Sequence, residues 1–336
     1  LPLLVVPGGT VIDTPDFTKY FVPIHQFVRS SLAEGRWPLW NPYNYAGLPF
    51  AANPQTMVFY PPTWLCLVLP VVDSHRLLLL GHGLLAALGM RFQLRTMGAS
   101  PWASLAGAIP YAMGGYYATN SSVGHLTMVC TMAWLPWVVG FFARWLRDGG
   151  PRNLLFCGWA LTFQVLAGEP QSSYYTALLL VAFAAAAAWR RRGEARRGAA
   201  AVFAGVALVG LVAALGSAGQ LLPTAEMAGQ SDRSRNSFEF STTMSMPLES
   251  MAAGLVLPWY SGSRPLWFDA LGQRPLNINR EFALYSGLIP LFLAALAFGS
   301  RLWLVRFAWG VVVLSILMML GSHTPAYRVF WEVMPG

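Results

Sequence analysis

Charge is what this sequence has least of. Only 11% of its residues are Asp, Glu, Lys or Arg, where soluble domains carry about a quarter. With 55% hydrophobic residues, that deficit excludes an ordinary water-soluble globule and points to a bilayer. Lysine is almost missing: Lys19 stands alone, and every other basic residue is an arginine. Cysteine is scarce and odd in number. Cys66, Cys130 and Cys157 all lie in apolar stretches, so they read as small buried hydrophobes and not as a disulfide framework or a metal site. There is no short internal repeat.

What the sequence does have is long apolar runs. Residues 199–222 and 174–189 hold no charge at all, and several others approach the roughly 20 residues that cross a membrane. Candidate spans are 75–96, 102–118, 127–143, 153–168, 173–189, 199–222, 285–299 and 303–321, about eight in all. The opening LPLLVVPGG resembles the tail of another span, and the end at VMPG lacks a closing helix. The chain is therefore expected to be a piece of a longer protein, its first span and C-terminal part missing. The fold class expected is an all-α polytopic membrane protein, a single transmembrane domain over 1–336.

The formal charge of +8 would suit nucleic acid, but its placement does not. Arg91, Arg95, Arg144, Arg147, Arg152, Arg190–Arg192, Arg196, Arg197, Arg301 and Arg306 fall in every second connection, as cytoplasmic loops do. The other connections (9–74, 119–126, 169–172, 223–284 and 322–336) then face outward and hold every acid except Asp148 and Glu194. This needs residues 57–72, short and broken by prolines, to form an interfacial or re-entrant segment and not a span.

Two of the outward connections are large, 9–74 and 223–284. In the first, residues 13–62 are dense in Pro, Asn, Gln and aromatics, which hydrocarbon does not tolerate on a lipid-facing segment. Asp13 and Asp16 open it. Asp16 suits an N-cap, or a general base, because a low-dielectric surface favours a carboxylate that takes up a proton. Residues 17–32 carry apolar side chains at helical period, which predicts an amphipathic helix lying at the interface; Lys19 beside it could hold a lipid phosphate or reach to head groups. The aromatic run 35–43, with Trp40 and Asn41, reads as a rigid lid or as a sugar-binding platform.

Asn53-Pro54-Gln55 has a counterpart in Glu169-Pro170-Gln171, and both lie in outward connections. Glu169 is the only acid in its turn. His125, in the outward turn SVGHL, reads as structural or as a phosphate partner. In the second large loop, one or two arginines could bind a phosphate leaving group.

Taken in order, Asp16, Tyr20, Phe21 and Pro23, then GRWPLWNPY at 35–43, Gly47 with Pro49, ANPQ at 52–55 and FYPP at 59–62 resemble the YfhO-like bacterial membrane proteins, which are related to the type C glycosyltransferases. WLP at 134–136, AGEPQ at 167–171, YSG at 285–287 and LGSHTP at 320–325 extend the resemblance along nearly the whole chain. It implies a type C glycosyltransferase-like helix bundle in the bacterial cytoplasmic membrane, with its active site facing outward. It implies transfer of a sugar from a polyprenyl-phosphate donor to a cell-envelope glycan, lipid or protein, usually with inversion.

Asp16 matches the family's catalytic Asp best, and Asp13 is second choice. Glu169 would assist or orient the acceptor, and Lys19, His125 or an arginine such as Arg280 would neutralise the leaving phosphate. Trp40, Asn41, Asn53, Gln55 and Gln171 complete the expected substrate contacts. The chain has no D-x-D, so no metal ligand is assigned, and a divalent cation is the one cofactor left open. Membrane lipids are expected partners and nucleic acid is not.

Two other classes of function compete. A transporter or flippase of lipid-linked glycans would place ionisable residues inside the spans, where this sequence has few. A non-catalytic scaffold would tolerate loss of both Asp13 and Asp16.

Overall fold

The structure, a computed structural model, describes residues 14, 16–44, 46–190, 198–231, 237–243, 245–246, 251 and 286–333. Among these, every regular element is helical, and the β-type pairing is an isolated bridge between Asn41 and Leu48. Asp13 and Arg280 lie outside the described residues.

A π-helical turn at Asp16–Phe21 leads into α1 (Val22–Ala33), and a loop with short 3-10 segments leads to α2 (Val71–Thr96). There follow α3 (Pro101–Met113), α4 (Gly115–Val123), α5 (Leu126–Asp148), α6 (Pro151–Leu166), α7 (Pro170–Arg190), α8 (Ala199–Gly216) and α9 (Ala218–Gly229). Of these, α2, α5, α7 and α8 are long and apolar enough to cross a membrane, which fits a helical membrane protein.

The chain divides into two compact units: Leu1–Met113 with Asn120–Gln230, and Gly114–Thr119 with Ser231–Gly336. In the second, the apolar helices α10 (Leu288–Ala297) and α11 (Trp303–Met319) precede α12 (Pro325–Val333). There the Met246 amide donates to the Met319 carbonyl at 2.9 Å, and the Phe238 ring meets Tyr327 and Trp331 of α12.

Three expected boundaries change. The run 102–118 is not one helix: α3 ends at Met113, Gly114 interrupts, and α4 continues to Val123. A Gly-Gly pair four residues after Pro110 offers the backbone its weakest point. The run 199–222 also breaks, at Ser217, whose hydroxyl turns back to the Ala213 carbonyl at 2.6 Å. Finally, α2 begins at Val71, ahead of the expected 75, because Pro70 fixes the preceding turn. Residues 61–67 form a 3-10 segment packed on α1 and α2, so this stretch contributes no spanning helix.

In the first unit α2 packs along α5, α5 along α6, and α6 along α8. Pro136 sits inside α5 and cannot donate to the carbonyl four residues back. The Tyr111 hydroxyl takes that place, donating to the Met132 carbonyl at 2.7 Å. Such a repair is needed in a medium without water.

The helix ends of this unit fall into two groups. At one, Arg147 at the end of α5 donates to the carbonyl of Thr96 at the end of α2. At the other, the loop 34–70 meets the α6–α7 turn through Gly168, and meets α9 through Gln220 and Thr224, which donate to the Ala51 and Ala52 carbonyls at 3.0 and 2.8 Å.

Candidate functional site

The loop end of the first unit gathers the polar residues singled out above. Asp16 opens its helical turn with its carboxylate against His125: Oδ2 lies 3.0 Å from Nε2, across 109 positions of sequence. The other ring nitrogen, Nδ1, is 3.3 Å from Asn120 Oδ1. Both imidazole nitrogens are thus engaged, and the carboxylate is the more open partner, its side chain 45% exposed against 24% for His125. The contact is fixed from both sides. The Thr14 hydroxyl donates to the Val123 carbonyl at 2.6 Å, and Gly124 abuts the Phe17 ring so closely that a Cβ there would overlap it.

A second cluster stands on the same helical turn. Asn53 Nδ2 donates to the Tyr20 hydroxyl at 2.9 Å, Tyr20 donates to Gln55 Oε1 at 2.8 Å, and the Gln55 amide donates to Asn53 Oδ1 at 3.1 Å. The two x-Pro-Gln turns meet here. Gly168, at φ +92°, lies on the Pro54 carbonyl and on Thr127 Cγ2, which places the Glu169 turn beside both the Asn53–Gln55 turn and the start of α5. Half-buried Glu169 directly precedes α7 and exposed Gln171 lies in its first turn, where it donates to the Tyr175 hydroxyl at 2.9 Å.

The remaining candidates separate. Lys19 is exposed on the Asp16 turn. Asn41 is buried and structural in its bonding: it pairs with Leu48 and its Oδ1 accepts from the Tyr43 amide at 3.0 Å. Trp40 is exposed next to it, its indole against Gly47. Among the described residues no three His, Cys, Asp or Glu side chains gather as a metal site requires.

The apolar stripe of α1 is covered by protein: Ile24 and Val28 pack with Phe50, Cys66 and Val71, and Phe17, Phe21, His25 and Ser31 are buried as well. The 3-10 segment and α2 supply the cover that the sequence alone suggested a membrane would give.

Two buried polar groupings went unread in the sequence. His25 on α1 faces His75 on α2 through Nδ1 and Nε2, and the outer nitrogen of His75, Nδ1, has no hydrogen-bond partner among the described residues. Below them, Trp134 Nε1 donates to the Tyr60 hydroxyl at 2.8 Å, and Tyr60 donates to His82 Nε2 at 2.5 Å. His82 Nδ1 lies 2.7 Å from the Leu78 carbonyl, which can only accept, so the proton sits on Nδ1. Burial pushes the Tyr60 phenol well above its ordinary range. The span α2 therefore carries two buried imidazoles, more polar chemistry than its sequence suggested. An isolated His in an apolar stripe gives no signal of its partner.

Burial pushes the His25 imidazole down to about 4, and a hydrogen bond with the Thr56 backbone offsets part of this. A histidine held below its unfolded value of about 6.5 makes the unfolded state the better proton binder. Its contribution is complete above pH 6.5 and is lost as pH falls towards 4. The difference corresponds to about 3 kcal/mol. Thermal unfolding in detergent is expected to weaken steeply between pH 6.5 and 4, and less steeply in His25→Gln. Equal slopes in both proteins would contradict this.

No family model, curated protein or solved structure matches the chain.

Proposed function

We propose that the protein is an integral membrane glycosyltransferase that moves a sugar from a polyprenyl-phosphate donor to an acceptor hydroxyl at the outer face of a bacterial cytoplasmic membrane. The observation that carries this is the Asp16–His125 contact, set at the bundle end where the Asn53–Gln55 and Glu169–Gln171 turns meet. Asp16 takes the proton of the acceptor hydroxyl as that oxygen bonds to the anomeric carbon. The bond from that carbon to the phosphate oxygen breaks, polyprenyl phosphate leaves with the electron pair, and the configuration inverts. His125 holds the carboxylate in position. Exposed Lys19, on the same turn and the basic residue nearest to Asp16 in sequence, neutralises the charge of the leaving phosphate.

The amides of Asn53 and Gln55 and the Glu169 turn supply donors and acceptors for sugar hydroxyls. The resemblance in sequence to the YfhO-like proteins supports the same class of reaction. Release of polyprenyl phosphate from labelled donors by the protein in nanodiscs tests it.

A second class, transport of a lipid-linked glycan, is favoured by one observation, the buried His75 and His82 within α2. It predicts movement of labelled lipid between leaflets with no cleavage of its phosphate–sugar bond.

A further inference from the structure

The loop between α1 and α2 turns a ridge of large apolar side chains outward. Trp37, Trp40, Tyr43 and Val68 are 53%, 56%, 83% and 76% exposed, with Leu39 and Leu67 exposed beside them. The ridge is built and held. Asn41 and Leu48 exchange two backbone bonds of 2.9 Å, and the Trp37 ring stacks on Phe59 at 5.8 Å and meets Trp64 edge-on at 6.4 Å. Trp64 Nε1 in turn donates to the Val58 carbonyl at 2.9 Å. Apolar surface of this extent on a fixed loop marks a surface with a partner.

Three observations identify that partner as phospholipid. The ridge leads in sequence into a spanning helix: Leu67 and Val68 lie just before α2, on which Leu77, Leu84 and Leu88 are exposed at spacings that share one face. Charge then appears where head groups would lie. Asp73 and Arg76 pair at 3.1 Å in the first turns of α2, and Arg29 donates to the Leu69 carbonyl at 3.4 Å. Half of the ridge side chains, Trp37, Trp40 and Tyr43, are Trp or Tyr, amphipathic rings that settle at the head-group level.

We infer that residues 37–68 lie on the bilayer, with Trp37, Trp40, Tyr43 and Val68 in the boundary between head groups and acyl chains. The stripe of α1 cannot serve this purpose because protein covers it. The consequence is a site fed from the membrane plane, since the same loop carries Asn53 and Gln55. This requires only that the protein is a membrane protein and does not depend on sugar transfer.

Nitroxide labels at Trp40→Cys and Tyr43→Cys test it, in nanodiscs of phosphatidylcholine and phosphatidylglycerol. The native Cys66, Cys130 and Cys157 are buried, so the introduced thiols are the reactive ones. Collision with oxygen, which concentrates in lipid, is compared with collision with a water-soluble nickel chelate. Leu84→Cys serves as the lipid reference and Asp148→Cys as the aqueous one. The expected result is a shift of both loop labels toward the Leu84 value. Chelate access like that at position 148 would overturn the inference by placing the ridge in water, where a glycan would be the better partner. Low access to both reagents would overturn it equally, because protein would then cover the ridge.

Discussion

Asp16→Asn is expected to lower turnover of a polyprenyl-phosphate sugar by about 10²- to 10⁴-fold while leaving the fold intact. Asparagine has the same shape, and its carbonyl still accepts from His125 Nε2, so the 3.0 Å contact survives and only the proton acceptor is lost. His125→Ala does the reverse. It keeps the carboxylate but removes the group that ties it to Asn120, so kcat is expected to fall by about 10²-fold or less with little change in KM. His125→Gln, whose amide can still donate, should recover part of that loss. A fall in His125→Ala equal to that in Asp16→Asn, with no recovery in His125→Gln, would make the imidazole and not the carboxylate the proton acceptor.

Gly168→Ala is expected to cost both stability and activity, and Gly98→Ala much less of either. The two glycines have nearly the same backbone, φ +92° and +96°, and any L side chain there is strained by about 1–3 kcal/mol. Their surroundings differ. A Cβ at Gly98 meets nothing within 4 Å, but at Gly168 it would lie 2.6 Å from the Pro54 carbonyl oxygen and 3.0 Å from Thr127 Cγ2. The backbone of the Asn53–Gln55 turn would have to move, and the Tyr20 bonds with it. Unfolding temperatures separate the cases: a fall of a few degrees for each of the 1–3 kcal/mol is expected at both sites, with a further fall at Gly168 alone. Matching values would mean that the two x-Pro-Gln turns do not support each other.

The sequence carried the helical membrane character plainly, because hydropathy and scarce charge need no tertiary information. It also pointed to Asp16, His125, Asn53, Gln55 and Glu169 one by one. It could not show which of them touch. Asp16 and His125 are 109 positions apart, and the meeting of the two turns depends on Gly168, whose place in AGEPQ does not show what it packs against. The stripe on α1 had the right period, and the structure packs protein against it: periodicity shows that a face is covered and not whether lipid or protein covers it. Tyr60 carried no reading of its own beyond the FYPP pattern, yet it is fully buried, held by Trp134 and His82. The breaks at Gly114 and Ser217 were hidden by apolar runs that continue through them, since hydropathy is blind to backbone direction.

The central claim is that this membrane protein cleaves a sugar from a lipid phosphate, and release of that phosphate is its most direct test. The wild-type protein in nanodiscs would be given a panel of labelled polyprenyl-phosphate sugars with cell-envelope acceptors. At least one donor is expected to release polyprenyl phosphate with the sugar appearing on an acceptor, and Asp16→Asn to lower both by about 10²- to 10⁴-fold. Labelled lipid that crosses the bilayer with its phosphate–sugar bond intact, and no release from any donor, would contradict the account and make the protein a transporter.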